Sequence, residues 1–286
     1  MFDPKTNKFP YPIDTSSHYL EVKMNRGIIF DKDYPYIDRS KEFKRKQRFI
    51  NFMLHSLVYF ITRIRLNLKI EGKENLKKYK DVIENGCVTV CNHVHMWDYL
   101  AIKLALKKYE TKILSWADNI NGENGTLIRL VGGIPIPNGD IAATKSCIRQ
   151  VKKYINDTGI LHVYAEGSMW EFYAPIRPFK LGASYYAIKC DKPILPLAFS
   201  YRKNGWLRKL FKSLASFTLT IGEPIYPNKD LSFKESEADL TSRAHDEVCK
   251  LAGIDPNKNI YNKIYNNDKR IDYYTNEYGI GYKKSF

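Results

Sequence analysis

Val90-Cys91-Asn92-His93-Val94-His95-Met96-Trp97-Asp98 is the stretch that decides how this 286-residue chain folds. It follows a short apolar run, Cys87 to Cys91, of the kind that forms a buried strand, and precedes Tyr99 to Lys108, whose apolar residues recur at helical spacing. On one continuous helix, five residues would turn His93 and Asp98 about 140° apart. A strand-to-helix turn removes that obstacle. The Asp98 carboxylate can then accept a hydrogen bond from one ring nitrogen of His93, fixing the tautomer and leaving the other nitrogen as a general base. The same residues admit a purely structural reading, in which Asp98 caps the helix and His93 is a satisfied core histidine. Zinc held by Cys87, Cys91, His93 and His95 does not fit. Two cysteines four residues apart on an extended strand are separated by about 13 Å, too far for one tetrahedral ion, so no metal is expected.

Outward from this turn, strand and helix signals alternate. Leu66, Leu68 and Ile70 alternate with polar residues, and Leu161 to Ala165, Pro193 to Ser200 and Phe217 to Ile221 are further strand candidates. Ala142 to Ile155, Gly182 to Lys189 and Glu235 to Leu251 have helical spacing. The expected class is α/β, a single mixed sheet flanked by helices.

Residues 1–40 are rich in Pro, Tyr and Asp without a sustained period and read as a loop-rich arm. Lys41 to Arg48 then carries five basic residues ahead of the apolar run Phe49 to Ile61. That run is too short to span a bilayer, which needs about 20 apolar residues. With cations at both ends (Arg45, Lys46, Arg48; Arg63, Arg65) it suits an N-terminal amphipathic helix at a membrane interface, the plainer reading being a helix packed on the core. Arg202 to Lys212 also interleaves cations with Trp206, Leu207, Leu210 and Phe211, as a lipid-facing segment would.

The formal charge is +15, and residues 1–80 hold 18 Lys+Arg against nine Asp+Glu. Such an excess attracts phosphate on nucleic acid or anionic lipid, or an acidic carrier protein. Five cysteines without paired spacing, and no basic-then-apolar leader, lead us to expect a reducing, cytoplasmic setting.

A second cluster, Tyr164-Ala165-Glu166-Gly167-Ser168-Met169-Trp170, also ends an apolar run. Glycine there lets backbone approach a ligand, and neighbouring amides could hold an oxyanion or a phosphate oxygen. Arg177-Pro178-Phe179-Lys180 then places two cations before a helix N-terminus, itself favourable to anions.

Taken in order, these segments resemble the glycerolipid acyltransferase family, which includes lysophosphatidic acid and glycerol-3-phosphate acyltransferases, from about Leu68 to Pro227. Asn92-His93 with Asp98 looks like the family's catalytic motif, and Gly132-Gly133-Ile134-Pro135-Ile136-Pro137 is similar to its second. Glu166-Gly167-Ser168, with Phe179 to Ala183, is similar to the third, and Pro193-Ile194-Leu195-Pro196 to the fourth. The resemblance implies O-acyl transfer from an acyl-coenzyme A or acyl-carrier-protein thioester, a co-substrate rather than a cofactor, to a hydroxyl of a lysophospholipid-like acceptor. It implies His93 and Asp98 as catalytic residues, and Asn138, Glu166, Gly167, Ser168, Arg177 and Lys180 as substrate-binding ones. Two departures stand out: Asn138 and Met169 occupy positions where the family places phosphate-gripping arginines, so either Arg177 and Lys180 substitute for them or the acceptor is not a simple glycerol phosphate. The organisation that follows is an arm and interfacial helix over 1–65, a catalytic domain over 66–255 and a peripheral tail over 256–286. The expected location is the cytoplasmic side of a membrane, as a peripheral, monotopic protein on an anionic surface. A basic membrane- or nucleic-acid-binding protein without catalysis is the alternative, although no nucleic-acid motif is present and nucleic acid is not an expected partner.

Overall fold

Short apolar runs separated by amphipathic stretches give strands that must be covered on both faces, and the chain solves this with one twisted sheet between helices. The computed structural model describes residues 26–171, 173, 175–202, 206 and 216–258. Among these, the strands are β1 (Lys69–Glu71), β2 (Cys87–Val90), β3 (Thr111–Trp116), β4 (Gly133–Ile136), β5 (Ile160–Val163), β6 (Ile194–Arg202) and β7 (Ser216–Ile221). They form one sheet in the order β1-β7-β6-β2-β5-β3-β4. Strands β2 to β6 are mutually parallel, β7 runs antiparallel to β6, and β1 parallels β7, so the sheet is mixed. The helices are α1 (Lys41–Met53), α2 (Tyr59–Arg65), α3 (Lys73–Lys78), α4 (Lys80–Glu84), α5 (Asp98–Ala105), α6 (Ala117–Asn121), α7 (Gly125–Leu130), α8 (Ile141–Asn156), α9 (Gly182–Cys190) and α10 (Phe233–Leu251).

Chain direction along the sheet decides which face each helix covers. From β2 the chain steps through α5 to β3, one way along the sheet, whereas α8 and α9 carry it back from β4 to β5 and on to β6. Right-handed crossovers therefore put α5 on one face and α8 and α9 on the other. The loops leaving the adjacent strands β2 and β5 part to opposite faces. This is the topological switch point of the sheet, and open α/β sheets bind ligands at the carboxyl ends of the strands beside such a point.

Two strands escape the sequence patterns. β3 carries Lys112, which a strand pattern counts as a break; here it is buried, with Nζ 2.9 Å from Glu110 and 5.2 Å from the centre of the Tyr154 ring. β4 contains Pro135, which only an edge strand tolerates, and β4 is the edge. The first strand is also shorter than the alternation from Leu66 suggests, because Leu66 closes α2.

The N-terminal helix extends beyond Phe49 to Ile61, running from Lys41 to Arg65 through one π turn, Leu54–Val58. Ser40 caps it by accepting from the Phe43 amide. Leu54 and Tyr59, five residues apart, pack in one cluster with Ile50, Val58, Tyr99, Leu100, Leu104 and Val131. A regular helix would set that pair about 140° apart; the π turn aligns them. Phe49, Phe52 and Phe60 are left 64%, 66% and 64% exposed, with Leu57 and Ile64 also outward.

Residues 26–40 form no helix or strand, and polar contacts dock them on the body. The Asn121 amide pairs with the backbone of Ile28, and Gln150 with Ile37 N and Tyr34 O. Arg129 donates to the carbonyls of Pro35, Tyr36 and Gly133 at 2.6, 2.9 and 2.9 Å. Residues 1–25, most of Arg202 to Lys212, and the tail beyond residue 258 lie outside the described residues. Because hydrogen bonds to a charged donor contribute about 1.5–3 kcal/mol each, Arg129→Ala is expected to destabilise the protein by about 2–4 kcal/mol. It should also expose 26–40 to limited proteolysis; an unchanged melting temperature and digestion pattern would show that the arm is held by other contacts.

Candidate active site

β2 ends at Val90, and the next residues build the turn that carries His93. Asn92 ties the strand end to β6: its Nδ2 donates to the Phe199 carbonyl at 3.0 Å and its Oδ1 accepts from the Phe199 amide at 2.8 Å. The chain then turns, and Asp98 is the first residue of α5. His93 Nδ1 lies 2.8 Å from Asp98 Oδ2, the arrangement that a strand-to-helix turn allows and a continuous helix forbids. The Val94 and His95 amides donate to the same oxygen at 3.0 and 3.2 Å. The other oxygen, Oδ1, accepts a short hydrogen bond from the Tyr164 hydroxyl. The Asp98 side chain is 1% exposed and that of His93 22%, so the acid is sealed while the imidazole reaches solvent. Burial alone would raise the Asp98 carboxyl; His93, Tyr164 and the Val94 amide outweigh it and hold it below the usual value.

With Nδ1 donating to Asp98, the His93 Nε2 lone pair is the available base. Its ring lies flat on that of Tyr164, centroids 3.7 Å apart and planes 5° from parallel. Behind Tyr164 stands His162, with Nδ1 2.8 Å from Thr89 Oγ1; burial pushes this imidazole down to about 3. His95 accepts the Trp97 amide on Nδ1, and burial lowers it to about 4.

From β5 comes the second cluster. Glu166 Oε2 accepts the His93 amide at 3.2 Å and Arg177 Nη2 at 2.8 Å, while Oε1 accepts the Arg177 amide at 2.9 Å. Arg177 also donates through Nη1 to Ser168 Oγ at 2.8 Å and stacks over Trp170, whose amide donates to the His93 carbonyl at 3.1 Å. Glu166, Ser168 and Arg177 are all buried, so they brace the loop from inside. The Arg177 guanidinium points into the protein and is engaged there by Glu166 and Ser168. Gly167 lies in the same loop. Its N–H closes a turn on the Tyr164 carbonyl, and its φ is +84°. A Cβ there would stand 2.7 Å from Lys180 Nζ, so the lysine lies across the glycine. Lys180 is exposed, and Asn138 is exposed in the turn after β4, three strands from β2.

Sequence reasoning assigned no role to Tyr164 or Asn92. Two-residue periodicity along β5 was the available signal for Tyr164, since it puts the two rings, His162 and Tyr164, on one face. Among the described residues no cluster of three His, Cys, Asp or Glu could hold a metal. A cavity of about 810 Å³ lined by Arg39, Lys44, Arg48 and Lys108 opens at the amino ends of β3 and β5, away from the dyad.

A family model described as Acyltransferase matches residues 67–200. The chain is also similar to the crystal structure of the 1-acyl-sn-glycerophosphate (LPA) acyltransferase, PlsC, from Thermotoga maritima. The identity is 19%, over 76% of this chain and 85% of that one, with a TM-score of 0.44.

His162 and His95 set a pH dependence. Folded values of about 3 and 4, against an ordinary 6.5, mean that as pH falls below 6.5 the unfolded chain takes up protons that the folded one refuses. Stability is therefore complete above pH 6.5 and declines down to those folded values, by at most about 1.4 kcal/mol per pH unit per histidine. Urea unfolding from pH 7 to 4.5 should show this slope, and His162→Gln should flatten it; a slope unchanged in the variant would remove His162 from the account.

Proposed function

We propose, from the match of residues 67–200 to the Acyltransferase family model, that the protein moves a fatty acyl group from a coenzyme A or acyl-carrier-protein thioester to a hydroxyl of a lysophospholipid-like acceptor. The observation that carries the reading is the 2.8 Å contact between a solvent-reaching His93 and a sealed Asp98. His93 Nε2 takes the proton of the acceptor hydroxyl as its oxygen attacks the thioester carbonyl, and Asp98 stabilises the imidazolium. Collapse of the tetrahedral intermediate breaks the C–S bond. The departing thiolate recovers the proton, giving ester and free thiol.

A direct transfer suits the thiols present. All five cysteines are buried, and burial raises each above its ordinary value, so none is poised as a thiolate nucleophile. Lys180, exposed across Gly167, is the cation that would meet an anionic acceptor headgroup; Asn138 would contact the acceptor as a neutral hydrogen-bonding group. Glu166, Ser168 and Arg177 support binding from beneath by shaping the loop. The thioester is a co-substrate, and no cofactor is required.

The location we propose is peripheral, on the cytoplasmic side of an anionic membrane. No described helix is long and apolar enough to cross a bilayer. The outward Phe49, Phe52 and Phe60, flanked by Arg45 and Arg48 before them and Arg63 after, instead suit a helix lying in the interface.

Two measurements test this. Thiol release from acyl thioesters, with lysolipid and polyol acceptors, should fall on the order of 100- to 10,000-fold in His93→Ala at an unchanged melting temperature. Near-normal turnover by the folded variant would end the dyad assignment. Sedimentation with phosphatidylserine-containing vesicles should be strong at low salt, weaker at high salt and lost when Phe49, Phe52 and Phe60 are all changed to Ser. Retained binding in that triple variant would move the contact surface elsewhere.

A further inference from the structure

The dyad leaves one group unexplained: the Tyr164 side chain, which touches both members from a different strand. Its hydroxyl donates to Asp98 Oδ1, the oxygen that His93 does not use, while its ring covers one whole face of the imidazole at 3.7 Å. We propose that Tyr164 is a positioning residue that holds the dyad from two sides, its hydroxyl anchoring Asp98 and its ring stacking on His93 to favour the imidazolium. This rests on the proposed acyl transfer by His93 and adds to it.

The geometry explains why both halves of the side chain matter. Asp98 Oδ2 already accepts the His93 ring and two backbone amides, all from the turn that follows β2. Every one of those donors moves with the turn. Tyr164 belongs to the end of β5, so its hydroxyl fixes the carboxylate against an independent element, and the carboxylate cannot rotate without losing a bond to an ion in a buried site. The flat stack restrains the remaining freedom of His93, rotation about χ2. An electron-rich ring face beside a nascent cation also stabilises it. Burial and the neighbouring Asp98 charge raise the phenol well above its ordinary value, so the hydroxyl stays a donor throughout turnover.

Several other groups face the imidazole. Glu166 accepts the His93 backbone amide from the loop after β5, and His95 stands in the same turn; His162 on β5, Cys91 just after β2 and Tyr201 on β6 lie further back, around Asp98. Tyr164→Phe leaves all of them in place and keeps the ring contact with His162, so a shift of the His93 titration in that variant reports the hydroxyl.

Two substitutions separate its two halves. Tyr164→Phe keeps the stack and removes the hydroxyl. The Asp98 charge, no longer shared with a donor, acts more strongly on His93, so the ring titration should move to higher pH while kcat falls about tenfold with both KM values within about twofold. Tyr164→Leu removes the stack as well. Its kcat should fall further, and its His93 titration should lie below that of Tyr164→Phe. The readouts are thiol release as a function of pH and nitrogen-15 NMR titration of the His93 ring in the full chain, with thermal unfolding alongside. The ring titration reads the clamp even where a variant is inactive. A wild-type kcat and an unmoved His93 titration in Tyr164→Phe would overturn the proposal, as would coincident titrations in the two variants. Should His93→Ala stay active while the Tyr164→Phe titration moves as expected, the clamp stands and the catalytic role of the dyad falls.

Discussion

One carboxylate organises the carboxyl edge of this sheet. Asp98 begins α5, receives two amides from the turn that precedes it, orients an imidazole with the same oxygen, and uses its other oxygen to hold a side chain from β5. A buried charge survives only when its hydrogen-bonding capacity is filled, and here the filling is itself the architecture. The turn cannot unwind, nor β5 withdraw, without stranding an ion away from water. The amides that Asp98 accepts precede the helix, so the carboxylate secures the turn and orients the histidine rather than capping α5.

The second cluster uses the same logic with opposite charges. Glu166 and Arg177 are both nearly inaccessible, and their 2.8 Å ion pair is completed by bonds to the His93 amide, the Arg177 amide and Ser168. Such pairs add little net stability by themselves, yet breaking one is costly. Their value here is geometric: residues 73 apart in sequence are held in register, so the loop after β5 and the turn after β2 share a wall. Two crossovers part at this point; the ion pair and the Asp98 network keep the turn after β2 and the loop after β5 at a fixed distance.

Much of this was legible in the chain. The apolar runs at Cys87 and Leu161 and the helical spacing from Tyr99 placed His93 and Glu166 at strand ends, and the five-residue interval required a turn between His93 and Asp98. What escaped depends on tertiary context. Lys112 hides β3 because a buried lysine is readable only once its partners Glu110 and Tyr154 are known, and Pro135 hides β4 because its tolerance depends on the strand standing at an edge. Sequence gives the charge of Arg177 and not its direction, which here is inward, onto Glu166. Tyr164 passed without a role since nothing local distinguishes a tyrosine filling a core from one whose hydroxyl meets a carboxylate 66 positions away.

The π turn at Leu54–Val58 sets the phase of everything after it. One added residue advances a helix by about 100°, so it resets which side chains face the body and which face out. Ahead of it Ile50 and Leu54 form the inner ridge; beyond it Tyr59, Thr62 and Leu66 continue the same line, leaving Phe49, Phe52, Phe60 and Ile64 on the outer one. What looks like a local irregularity thus works as a vernier, keeping two apolar seams in step over about five turns so that a single rod can grip the protein along one side and offer grease along the other.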